Sequence, residues 1–149
     1  VSNLMDFLIS LVILFGMFLW YHTPLTPRAL WLPLAFAPAV ATALGAGMWF
    51  AALNVRYRDV KYVIPFLVRI GMYVSPVGFV SGLVPDPWRF WYYANPLVGA
   101  IDGFRWALLG GAFPIYWPGM GLSVAVSLLL LISGLWYFRA TEKTFADII

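Results

Sequence analysis

Asn54-Val55-Arg56-Tyr57-Arg58-Asp59-Val60-Lys61-Tyr62 lies between two long apolar runs and gathers Arg56, Arg58 and Lys61 into one short turn, in a chain only 10% charged. Connections on the cytoplasmic side of a membrane are enriched in Lys and Arg, so this turn predicts which way the chain is threaded. The side of every other connection follows from it.

The flanking runs make the membrane reading necessary. Of 149 residues 63% are hydrophobic, and the mean hydropathy is +0.88, which no globular surface can hide. Barrel strands would alternate polar and apolar positions, and that alternation is absent. The predicted fold class is therefore all-α: a polytopic helical membrane protein with four crossings and a re-entrant or interfacial outer helical hairpin.

The first crossing is placed at residues 4–21, spanning about 27 Å at helical rise, with Trp20, Tyr21 and His22 as an interfacial belt. The second, 29–53, carries Pro33 and Pro38. Small residues crowd its middle (Ala35, Ala37, Ala39, Ala41, Ala43, Gly45, Ala46 and Gly47), the pattern of a helix packed closely on neighbours. The third, 63–83, aligns Tyr62, Phe66, Arg69, Tyr73 and Pro76 on one face, with Gly71, Ser75, Gly78 and Gly82 opposite. The last is 118–138.

Residues 86–110 read differently. Asp86-Pro87 and Asn95-Pro96 each place an N-capping residue before a proline at the first helical position. Residues 97–109 span only about 20 Å, too short to cross, so this pair of helices forms the hairpin. Arg139, Glu142 and Lys143 follow the last run. That basic exit places the C-terminus on the side of the Asn54 turn, and the N-terminus with it, as two intervening crossings require. The chain forms a single unit and, starting almost inside an apolar run, reads as a fragment.

Several activities are excluded by what the sequence lacks. Its net charge of +3 forms no basic stripe, so nucleic acid is not an expected partner. With no cysteine and a single His22, no metal site is expected. Neither Lys61 nor Lys143 follows a glycine in a phosphate-loop pattern, so the chain binds no cofactor and hydrolyses no ATP by itself. Ser123, in Gly121-Leu122-Ser123-Val124-Ala125, sits inside an apolar run, where a bond to its own or a neighbouring helix is the reading.

The remaining polar and aromatic groups each carry two readings. Arg69, about 9 Å into the third run, either faces a conduit for an anionic solute or snorkels to lipid phosphates. Asp102 and Arg105 stand three apart and form an ion pair or touch solute. Trp88, Phe90, Trp91, Tyr92 and Tyr93 serve as an interfacial belt or as a platform for sugar rings. Arg56, Arg58, Asp59 and Lys61 form a topology anchor, with an Arg56–Asp59 pair, or dock a cytoplasmic partner.

Asn54-Val55-Arg56-Tyr57-Arg58-Asp59-Val60, Pro65, Ser75-Pro76, Asn95-Pro96-Leu97, the run from Asp102 to Gly110 and the tail Glu142-Lys143-Thr144-Phe145-Ala146-Asp147 together resemble the C-terminal part of type-2 ABC exporter permeases. The subgroup most alike exports polysaccharide: O-antigen, capsule or teichoic acid. The resemblance implies a homodimer whose interface is the conduit, two separate ATPase subunits carrying ATP and Mg, a lipid-linked glycan as substrate, and the bacterial inner membrane as location. It makes Tyr62, Phe66, Arg69 and Tyr73 candidates for the substrate path. Trp88, Trp91, Tyr92, Tyr93, Asp102 and Arg105 become candidates for an outer gate. An N-terminal interface helix, two crossings and the coupling helix of such a permease have no counterpart here. Rival readings are a type-2 permease for drugs or small lipids and a membrane enzyme acting on lipid-linked sugars.

Overall fold

The computed structural model describes residues 2–22, 27–109 and 113–145, and among these there are helices and turns but no strand. Helix α1 covers Ser2–Trp20, and a 3-10 turn over Pro27–Trp31 leads into α2, Leu32–Arg56. Helix α3 is Val60–Val74, α4 is Asp86–Tyr92, α5 is Pro96–Leu109 and α6 is Trp117–Phe145. Among the described residues two stretches, Pro27–Arg56 and Trp117–Glu142, are long and apolar enough to cross a membrane.

The centre of the structure is the pairing of α2 with α6. A Cβ built on Gly45 would stand 2.5 Å from the backbone carbon of Leu130, and one on Gly134 would stand 2.5 Å from the Gly45 carbonyl oxygen. The two backbones touch there, which only residues without a side chain permit. One turn further along α2, the Trp49 ring stacks on Tyr137 at 4.3 Å and 14°, and its indole N–H donates to Ser133 Oγ at 3.1 Å. Residue numbers rise together, so the helices run parallel. Arg56 and Arg139 consequently share one end of the pair.

Helix α5 lies antiparallel to both, across their N-terminal halves. Gly99 abuts Ser123, and Gly103 abuts Ala35 and Met120. The Phe104 ring meets Phe36 edge-on at 5.8 Å, and Arg28 sits over the Trp106 ring at 5.4 Å. The buried apolar residues are mostly small, including Ala52, Ala100 and Ala107, while large ones such as Leu19, Leu129, Ile132 and Trp136 face outward. That inversion suits hydrocarbon as the solvent.

Four sequence expectations need correction. The third apolar run, expected to be helical over 63–83, is helical only over Val60–Val74. Ser75 precedes Pro76, whose ring forces the preceding residue out of the helical region, and Ser75 adopts φ −82°, ψ 150°. Ser75, Pro76, Gly78 and Gly82 therefore lie beyond the helix and not on its faces. Asp86 does not cap α4; the Pro85 carbonyl accepts from Trp88 and Arg89, so Asp86 is already inside the first turn. Asn54, Val55 and Arg56 belong to the last turn of α2, where a cation complements the helix C-terminus. Helix α6 continues past residue 138 through Arg139 and Glu142.

Overpacking a close contact costs about 1–3 kcal/mol. Gly45→Ala is expected to lower the melting temperature of the detergent-solubilised protein. Gly47→Ala, with nothing within 4 Å of the new methyl and about 1 kcal/mol of helix propensity gained, is expected to leave it unchanged or raise it. Equal shifts for the two variants would contradict the packing described.

Candidate functional site

The α4–α5 hairpin and the segment that leaves α3 are joined by a polar network. At the start of α5 the expected cap forms: Asn95 Oδ1 accepts from the Leu97 N–H at 3.1 Å, and Pro96 occupies the first helical position, where no N–H is required. The Asn95 amide donates to Ser75 Oγ at 3.0 Å. The Tyr92 hydroxyl donates to the Val74 carbonyl at 2.7 Å. Arg105 reaches the same segment, donating from Nη2 to the Pro76 carbonyl at 2.6 Å and to that of Val77 at 3.3 Å.

Asp102 stands at the centre of these contacts. Its Oδ1 lies 3.6 Å from Arg105 Nη1, as the i,i+3 spacing predicts, and its Oδ2 accepts a 2.6 Å bond from the Tyr93 hydroxyl. Tyr93 is 1% exposed, its ring covers Gly119, and its backbone carbonyl accepts from Ser123 Oγ at 2.8 Å. Ser123 thus bonds a neighbouring element through its hydroxyl, one of the two roles expected of it. Burial and the hydrogen bond to Asp102 push the Tyr93 hydroxyl up to about 12. The Arg89 guanidinium packs over the Tyr116 ring at 4.7 Å.

The aromatic cluster therefore divides. Tyr92 and Tyr93 turn into the protein as hydrogen-bond donors, whereas Trp88 and Trp91 are exposed at 69% and 65%. On α3 the predicted face is present over Tyr62, Phe66, Arg69 and Tyr73, all exposed, and α3 has no buried residue. Among the described residues, no hydrogen bond or ring contact joins this face to Trp88 or Trp91. In the basic turn, Arg56 lies over the Tyr57 ring at 5.6 Å and Lys61 over Tyr62 at 4.9 Å. Arg58, Asp59 and Lys61 are exposed, and the Arg56–Asp59 ion pair does not form. Lys143 lies among residues whose side chains are not described.

Sequence reasoning found the Asp102–Arg105 pair but missed its attachments to Tyr93, Pro76 and Val77. Carbonyl acceptors leave no mark in a sequence; the one available signal was Ser75-Pro76, which frees backbone groups that need donors. A cavity of about 720 Å³ between α1, α2 and α5 was also not foreseen. It is lined by Leu14, Phe18, Phe36, Ala100 and Phe104, with Arg105 among the lining residues.

Helices clothed in exposed apolar side chains, a parallel α2–α6 pair and a short hairpin pinned at one end define a helical membrane protein. Residues 1–109 match the family described as ABC-2 type transporter. The chain belongs to that family. It is similar to the O-antigen export system permease protein RfbA of Klebsiella pneumoniae, 23% identical over 138 residues that cover 93% of this chain and 52% of that protein. It is also similar to the protein of that name from Myxococcus xanthus, 26% identical over 155 residues, covering 99% and 57%. The chain spans about half the length of the curated relatives it matches.

Tyr93→Phe leaves Asp102 Oδ2 without its donor, at a cost of about 1–3 kcal/mol. The pH dependence has a definite sign. Between 10.0 and about 12 the unfolded chain has released the Tyr93 proton that the folded chain retains, so stability falls as pH rises through that window and is intact below it. Thermal melts in detergent from neutral to strongly alkaline pH are expected to show a shallower alkaline decline for Tyr93→Phe than for the native chain.

Proposed function

We propose that this chain is part of the membrane-spanning permease subunit of an ATP-driven exporter that moves a lipid-linked polysaccharide outward across the bacterial inner membrane. The family match over residues 1–109, joined to the similarity to O-antigen export permeases, carries the reading. The permease functions as a homodimer with two ATPase subunits, which bind ATP and Mg. In this proposal α1, α2, α6 and α3, the last together with the segment that follows it to residue 83, are the four crossings. The Arg56–Lys61 turn and both termini face the cytoplasm, and the α4–α5 hairpin faces outward. The parallel course of α2 and α6, which brings Arg56 and Arg139 to one end and leaves the hairpin at the other, supports this threading.

The proposed path uses the exposed face of α3. Tyr62, Phe66 and Tyr73 would offer flat rings to sugar faces, and Arg69 a cation to anionic groups, along the interface between two copies. Trp88 and Trp91 would present further rings at the outer mouth. Tyr92, Tyr93, Asp102 and Arg105 would hold the hairpin that closes it. Chemistry on the glycan is not part of the proposal, because the polar groups gathered at the hairpin are engaged with one another and with backbone carbonyls.

Two experiments test the reading. Reporter fusions after Arg58 and after Glu142 are expected to report the cytoplasm, and opposite sides would overturn the threading. Disrupting the gene is expected to remove surface polysaccharide while lipid-linked chains accumulate inside the cell. Intact surface polysaccharide with increased drug sensitivity would favour a permease for small molecules instead.

A further inference from the structure

Helix α5 has two faces of opposite character. Gly99 and Gly103 press on Ser123, Ala35 and Met120, the close approach that residues without a side chain allow. Leu97, Ile101, Phe104 and Leu108 follow one another at spacings of four, three and four, so they share a face. That face turns to the cavity of about 720 Å³ between α1, α2 and α5. Leu14 and Phe18 of α1 and Ala39 of α2 stand across it.

Physical limits narrow what the cavity can hold. An apolar cavity of about 150 Å³ stays dry and empty in a protein core, but this one is several times larger, and protein interiors do not give up close packing on that scale. Water needs two to four polar partners, and the lining is apolar apart from Tyr21 and Arg105. Arg105 is engaged elsewhere. Its Nη2 donates to the Pro76 and Val77 carbonyls, and its Nη1 is buried beside Asp102. The wall therefore suits neither a pool of water nor an anionic headgroup.

Hydrocarbon suits it. Met17, Tyr21, Phe36 and Leu109 at the cavity are exposed, so the space is continuous with the apolar surface that faces the bilayer. Along α5 the wall runs about 20 Å from Leu97 to Leu109, enough to follow one chain through a single leaflet of a hydrocarbon core about 30 Å thick. Phe18 is buried, so α1 meets its neighbours at that level. A further helix, about 10–12 Å across, would have to part them; a single methylene chain would not.

We infer that the cavity seats one acyl chain of a bilayer phospholipid, from the leaflet on the side of Tyr21 and Leu109, held by shape and apolarity and not by its headgroup. The chain joins α1 to α2 and α5 as a side chain would. This site is separate from the exposed face of α3 and stands whatever the cargo.

The full chain would be placed in nanodiscs of phosphatidylcholine or of phosphatidylglycerol, extracted into detergent and weighed by native mass spectrometry. One phospholipid per chain is expected to stay bound, to the same extent for either headgroup. A phospholipid with a diazirine midway along one acyl chain is expected to label Leu97, Ile101 or Phe104 at least twofold more than Leu129 and Ile132, which are exposed on α6. Ala39→Phe, which fills part of the cavity, is expected to lower both retention and labelling at least twofold while the melting temperature is unchanged or raised. Where Ala39→Phe melts lower, the smaller Ala39→Leu is read in the same way. Loss of all lipid from the native chain, retention that follows the headgroup, or signals unaltered by filling in a folded variant overturns the inference. So does labelling of α5 no greater than that of α6, which is also what a protein segment seated in the cavity would give.

Discussion

A bilayer gives apolar helices little hydrophobic reason to associate, so this structure depends on how closely two backbones approach at Gly45 and Gly134. Dispersion falls steeply with separation, and a single methyl group at either position would open the contact. With the backbones touching, Trp49 comes within stacking distance of Tyr137, worth about 0.5–1.5 kcal/mol beyond its buried area. The same approach fixes the parallel course of α2 and α6. It thereby leaves a shelf of small residues, Ala35 among them, on which α5 lies.

What rests on that shelf is polar in an otherwise apolar protein. A polar group away from water is tolerated only when its partners are present, and the members of the hairpin network meet most of that demand for one another, Arg105 Nη1 having the 3.6 Å ion pair with Asp102 but no hydrogen bond. Tyr93 supplies a proton to Asp102, Asp102 supplies charge to Arg105, and Arg105 supplies donors to carbonyls that Pro76 displaced from the helix. The network serves to fix the hairpin on the end of α3. Helix α3 has no buried residue, and the segment that leaves it is bonded to the hairpin.

Membership of the ABC-2 type transporter family gives these features a setting without assigning them roles. The exposed aromatic face of α3 and the exposed Trp88 and Trp91 remain surfaces that a polymer of sugars would suit, as would lipid. The inward-turned Tyr92 and Tyr93 are different in kind: their hydroxyls are committed to Val74 and Asp102. An aromatic cluster that looks uniform in sequence is thus two populations, one bonded within the protein and one exposed.

The sequence by itself determined the helical class, the apolar runs, the small-residue stretch around Gly45, the Asn95-Pro96 cap and the Asp102–Arg105 pair. Each follows from composition or from spacing within one element, which local physics settles. It also determined that Arg56 and Arg139 belong at one end, because charge avoids hydrocarbon. Only the tertiary structure decided that α3 stops at Val74, that Tyr92 and Tyr93 turn inward, and that Arg105 reaches the carbonyls of Pro76 and Val77. Those outcomes depend on which backbone groups lie nearby after folding, and residues some thirty positions apart carry no mark of each other in the chain.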